Sequence, residues 1–121
     1  MKLIAWELSP RPVFMSVVSM SELTGKWVQK EGQPYAGLWF EFSEDGRFEA
    51  QFEPMGIVSS GTYQVAGGEI IMQQTEHTLG LVGEFKGLYE VEGSELKMAL
   101  AAGPGQDRPA DLSGARVYIK E

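Results

Sequence analysis

The chain of 121 residues has no cysteine and one histidine. The first absence removes disulfide staples, thiolate metal sites and any cysteine nucleophile. The second removes most imidazole chemistry. His77 stands beside Glu76 in "QQTEHTLG", and one His with one Glu falls short of the ligands that tetrahedral or facial metal sites need. A lone histidine could still hold a haem through an axial bond, but an exposed loop histidine is the plainer reading. Basic residues are scarce too. Ten Lys and Arg stand against seventeen Asp and Glu, a formal net charge of −7. That balance argues against nucleic acid and anionic membrane surfaces as partners. No apolar run approaches the ~18 residues of a membrane span. Ser59-Ser60 lacks a nucleophile-elbow pattern, and Gly103-Pro104-Gly105 lacks the lysine and helix of a phosphate loop.

What is present is β-structure. From Gly25 onward, short segments alternate in polarity and end in turn residues. They read as eight strands: "GKWVQ" from Gly25, "GLWFEF" from Gly37, "RFEAQFE" from Arg47, "IVSSGTYQV" from Ile57, "EIIMQQT" from Glu69, "GEFKGLYEV" from Gly83, "ELKMALA" from Glu95 and "ARVYIK" from Ala115. Asp45-Gly46, Gly67-Gly68 and Gly93-Ser94 supply hairpin turns. The segments 74–82 and 102–113 read as the two long loops. Glu41, Glu49, Glu53, Glu84 and Glu90 alternate with apolar residues and mark the wet face of the strands.

The chain also repeats itself. "GTYQVAGGEIIM" from Gly61 returns, 26 residues later, as "GLYEVEGSELKM" from Gly87. Each copy is one hairpin, with Tyr63 and Tyr89 expected on the same side of the wall. Successive hairpins make an up-and-down meander. Eight such strands can close into a barrel and remove the exposed edges of an open sheet. An open sheet, a two-sheet sandwich and an OB-type barrel are the alternatives; the acidic balance disfavours the last as a nucleic-acid binder.

Before the first strand, Ser19 and Glu22 have the spacing of a capping box on a one-turn helix. Residues 1–19 form an N-terminal extension and 20–121 one domain. Glu7 and two prolines interrupt the extension, and the apolar piece from Pro12 to Met20 carries two serines, so it makes a poor signal peptide and a cytoplasmic location is favoured. Its apolar content, "LIAWEL" and "VFMSVVS", is expected to pair along a barrel edge or to pack on a second copy, giving a homodimer.

"LTGKW" at 23–27, eight short antiparallel strands and Arg116 on the last strand resemble the lipocalin-like (calycin) barrels. The second half is similar to bacterial lipocalin-like domains of unknown function, frequent in planctomycetes, through Gly61-Thr62-Tyr63, Gly87-Leu88-Tyr89 with Gly93 and Leu96, and Arg108-Pro109. The resemblance covers residues 21–121. It implies an all-β, eight-stranded antiparallel barrel with Trp27 packed near Arg116 at one end, and a cavity for a small hydrophobic ligand.

The expected lining is Trp39 (or its neighbour Phe40), Phe48, Phe52, Tyr63, Met72, Phe85, Tyr89 and Met98. Tyr63 and Tyr89 would orient a ligand through their hydroxyls. The loop 102–113, with the 74–82 loop carrying His77, is expected to rim the open mouth; Arg108 on the first would meet an anionic head group there, or else order its own loop. No catalytic residue, metal or cofactor is assigned. The leading expectation is a non-enzymatic module that binds a small apolar or amphipathic molecule. A closed-core interaction or structural module and a small barrel isomerase or hydrolase are the alternatives.

Overall fold

Alternation of side chains along each strand sets the wall. The computed structural model describes residues 22–121. The extension 1–19, its expected dimer contact and the Ser19 cap lie outside the described residues. Glu22 and Leu23, at the start of the described chain, are helical. The strands are β1 (Gly25–Gln29), β2 (Trp39–Phe42), β3 (Arg47–Phe52), β4 (Ile57–Ala66), β5 (Glu69–His77), β6 (Gly83–Glu92), β7 (Glu95–Leu100) and β8 (Arg116–Lys120). Each is antiparallel to the next, and β8 returns to pair with β1, so the meander closes into a barrel. Closure satisfies both edges that an open sheet would expose.

The repeated hairpins are β4–β5 and β6–β7. Gly67 and Gly68 turn the first at φ of 58° and 85°; Gly93 opens the second turn at 62°. Tyr63 and Tyr89 both join the buried core, as their shared position requires. The glycines that begin each copy have their own reason. A Cβ at Gly61 would collide with the Gln73 carbonyl and crowd Phe48, and one at Gly87 would press on the Ala99 carbonyl and on Leu100. Bare glycines let bent strands come this close.

Two features differ from the expected outline. The helical turn that follows a strand is a 3-10 turn at Glu53–Met55, started by Pro54 and ended by Gly56 in the left-handed region. The expected loop 74–82 is shorter than its outline, since β5 runs on to His77 and leaves 78–82 as the connection. The connection 30–38 is long as well. Gln29, 3% exposed, accepts from the Tyr35 N–H through its side-chain oxygen. Gln33 bridges to the Lys30 carbonyl and to both backbone groups of Val117. Two glutamine amides thus replace the ladder bonds this segment lacks.

The two ends of the barrel differ. Short turns at 43–46, 67–68 and 93–94 gather at one end with Leu23, and the connections 30–38, 53–56, 78–82 and 101–115, all but 53–56 longer, gather at the other. The turn end is solid: Leu23, Trp27, Phe42, Phe48, Ile70 and Leu96 are fully buried. The Trp27 indole N–H donates to the Leu23 carbonyl at 2.8 Å and ties the entering chain across that end.

Candidate functional site: the open end of the barrel

Inward-facing residues near the longer connections do not meet in the middle. They leave a pocket of about 400 Å³ between Phe40, Ala50, Phe52, Met72, Phe85 and Leu100. That volume lies within the range of small-molecule sites. The rim comes from connections. Tyr35 reaches over the edge and meets Phe52 edge-on, with ring centroids 5.7 Å apart. Met55, Leu79 and Leu81 complete it and are 62%, 72% and 44% exposed. So large an apolar rim beside an apolar pocket is an unusual expense for a water-facing surface.

Among the described residues, polar groups in the lining are few: Ser59, Gln74 and His77, besides the Tyr35 hydroxyl. The register of β4 with β5 explains how His77 comes to be there. Gly61 faces Gln74 but Ser60 faces Glu76, so Thr75 is an extra residue in a bulge. The bulge reverses the alternation, and His77 lands opposite Ser59 on the inner side. Its Nδ1 accepts the Leu79 N–H at 3.0 Å. In the neutral ring the proton then sits on Nε2. That tautomer makes His77 a donor. It does not suit metal or haem ligation, where the second ring nitrogen normally donates outward. Nor can His77 serve Ser59 as a base, because the lone pair is already engaged. Gln74 gives its amide hydrogen to the Leu81 carbonyl at 2.5 Å, which keeps an acceptor oxygen for the pocket.

The expected site residues separate into three groups. Phe52, Met72 and Phe85 line the pocket, as does Phe40, the alternative to Trp39. Trp39 itself faces outward, with the Lys26 ammonium 4.3 Å above its ring. Phe48, Tyr63, Tyr89 and Met98 lie in the packed core and do not line the pocket. Tyr63 donates to the Ser43 carbonyl at 2.8 Å, so the protein satisfies this hydroxyl. Burial raises its pKa, against a hydrogen bond with Thr24.

Arg108 lies away from the mouth. It donates to the Gly87 carbonyl at 3.1 Å and pairs with Glu69 at 3.4 Å, which pins its loop to the barrel wall. No residue of 102–113 lines the pocket. The cation over Trp27 is Lys120, with Nζ 5.4 Å from the ring centroid. Trp27 pairs with Lys120 in the ladder, whereas Arg116 pairs with Met98. Four residues of strand, about 13 Å, separate the two cations.

Sequence reading placed the segment 74–82 at the rim without naming Leu79 and Leu81, and missed Tyr35, Leu38, Ile57 and Leu100 as pocket residues and Tyr118 as core. Tyr118 is 3% exposed, packs edge-on against Phe40 and receives the Gln29 amide at 3.4 Å. Burial pushes its pKa up to about 12, only partly opposed by Gln29 and the Arg116 charge. The signal for the rim was apolar residues inside turn-rich segments, "QPYAGL" and "TLGLVG".

The class these features define is a closed, eight-stranded antiparallel barrel with one filled and one open end. No protein-family model, curated protein or solved structure matches the chain.

Proposed function

We propose that the protein is a non-catalytic, lipocalin-like binding module that takes one small, mostly apolar molecule into the open end of its barrel. The observation that carries this reading is the apolar pocket of about 400 Å³ with its aromatic walls and exposed apolar rim. A ligand there would remove Phe52, Tyr35 and the rim leucines from water, which stabilises by roughly 25 cal/mol per Å² of apolar surface. Among the described residues the lining holds no acid–base pair facing His77, which supports binding over catalysis.

The test is titration with N-phenyl-naphthylamine, a neutral probe that brightens in apolar surroundings. Saturable one-site binding to the wild type is expected, with loss in Phe52→Glu at unchanged circular dichroism. Equal response from wild type and Phe52→Glu, or none from either, would refute the pocket as the site. A second reading, an interaction module that docks a protein through Met55, Leu79 and Leu81, draws on the exposure of that rim. It gains if the probe does not bind.

A further inference from the structure

We infer that the polar end of the ligand is a neutral carbonyl, as in a ketone or ester, received by His77 with help from Ser59; this rests on the pocket reading above. Five observations converge on it. First, among the described residues the pocket lining contains no lysine or arginine. Second, Arg108, the cation best placed by sequence to meet a carboxylate, is held on the wall by Glu69 and the Gly87 carbonyl. Third, the nearest acid along the chain, Glu76, sits next to His77 and accepts from the Ser60 hydroxyl, in a chain of net charge −7. A carboxylate entering this mouth would lose water without gaining a counter-charge.

Fourth, the donor that is present is a neutral one. With the Leu79 N–H on Nδ1, the imidazole offers Nε2–H. One N–H suits one carbonyl oxygen, which needs a single good donor and no compensating charge. Fifth, Ser59 stands directly across the ladder from His77, and its hydroxyl makes no hydrogen bond among the described residues. The pair forms a polar edge on an otherwise apolar opening. Its position at the rim orients the ligand: apolar body inward against Phe40, Met72 and Phe85, carbonyl outward. The bulge at Thr75 is the device that makes this edge, since an unbroken alternation would turn His77 to the outer wall.

Three ligands of nearly equal shape test the inference by displacement of bound N-phenyl-naphthylamine: acetylnaphthalene, naphthoate and ethylnaphthalene. In the wild type, acetylnaphthalene should bind about five- to tenfold more tightly than ethylnaphthalene, the effect of one net hydrogen bond, and naphthoate should bind weakest. His77→Phe should remove the advantage of the ketone, so that acetylnaphthalene and ethylnaphthalene bind with nearly equal affinity. His77→Gln, which keeps a donor, should restore part of it. Naphthoate binding as tightly as the ketone, or His77→Phe weakening all three equally, would overturn the inference while leaving the pocket intact. Absence of probe binding to the wild type would overturn both, so the two failures are distinguishable. The ligand order in the wild type needs no variant to fold.

Discussion

The two ends of this barrel are built from the same strands and differ in what closes them. At the turn end, two- to four-residue turns hold neighbouring strands tightly, and large inward side chains from every direction meet. Phe42 meets Tyr63 edge-on at 4.8 Å, and Trp27 is sealed between Leu23 and Lys120. At the open end, longer connections leave the strands apart. Ala50 and Ser59 occupy inner positions where larger residues would fill the space, and the apolar surplus is carried outward to the rim. Stability is thus concentrated at one end, and the capacity to bind at the other.

The largest expected effect breaks the closed end. Phe42→Ala should cost about 3–5 kcal/mol, the transfer and cavity terms of a fully buried aromatic. Phe52→Ala, at the half-buried mouth, should cost about 1 kcal/mol and weaken probe binding instead. Urea denaturation of both variants measures the contrast; equal costs would erase it.

An intermediate effect comes from Tyr118, between the two ends. Its folded pKa of about 12 exceeds the ordinary phenol value, so the unfolded chain ionises first. The contribution of Tyr118 is complete below pH ~10 and is lost as pH rises toward ~12, by up to about 2–3 kcal/mol. Tyr63, also raised by burial, acts in the same direction. Tyr118→Phe should therefore flatten the fall of stability across this window relative to wild type, as followed by melting temperature. Parallel curves would contradict it.

The smallest effect sharpens the seal of the closed end. Lys120→Met keeps the aliphatic cover over Trp27 and removes the cation. It should cost about 0.5–1 kcal/mol, less in high salt. Arg116→Met should not perturb Trp27 fluorescence, because Arg116 pairs with Met98 four residues away.

The strands and their order were legible because alternation and glycine turns are local signals. The 26-residue repeat even anticipated that Tyr63 and Tyr89 share a face. The site was less legible, for three physical reasons. "LWFEF" offers two adjacent aromatics, and only the register of Phe40 with Ala50 decides that Phe40 points in and Trp39 out. Lys120 and Arg116 share a face of β8, and only closure against β1 selects the lysine. The bulge at Thr75 reverses the alternation in β5 and brings His77 inward, which no periodic pattern foretells. The rim is built by Tyr35, Leu79 and Leu81 from connections, whose spatial neighbours depend on closure of the whole barrel.

Methionine methyl NMR tests most directly whether the open end binds and the closed end does not. Met55 and Met72 line the pocket, and Met98 is buried in the packed core. Titration of methyl-labelled protein with acetylnaphthalene should shift Met55 and Met72 by ring currents and leave Met98 in place. A shift at Met98 equal to that at Met72, or no shift at Met72 at saturating ligand, would contradict a barrel filled at one end and receptive at the other.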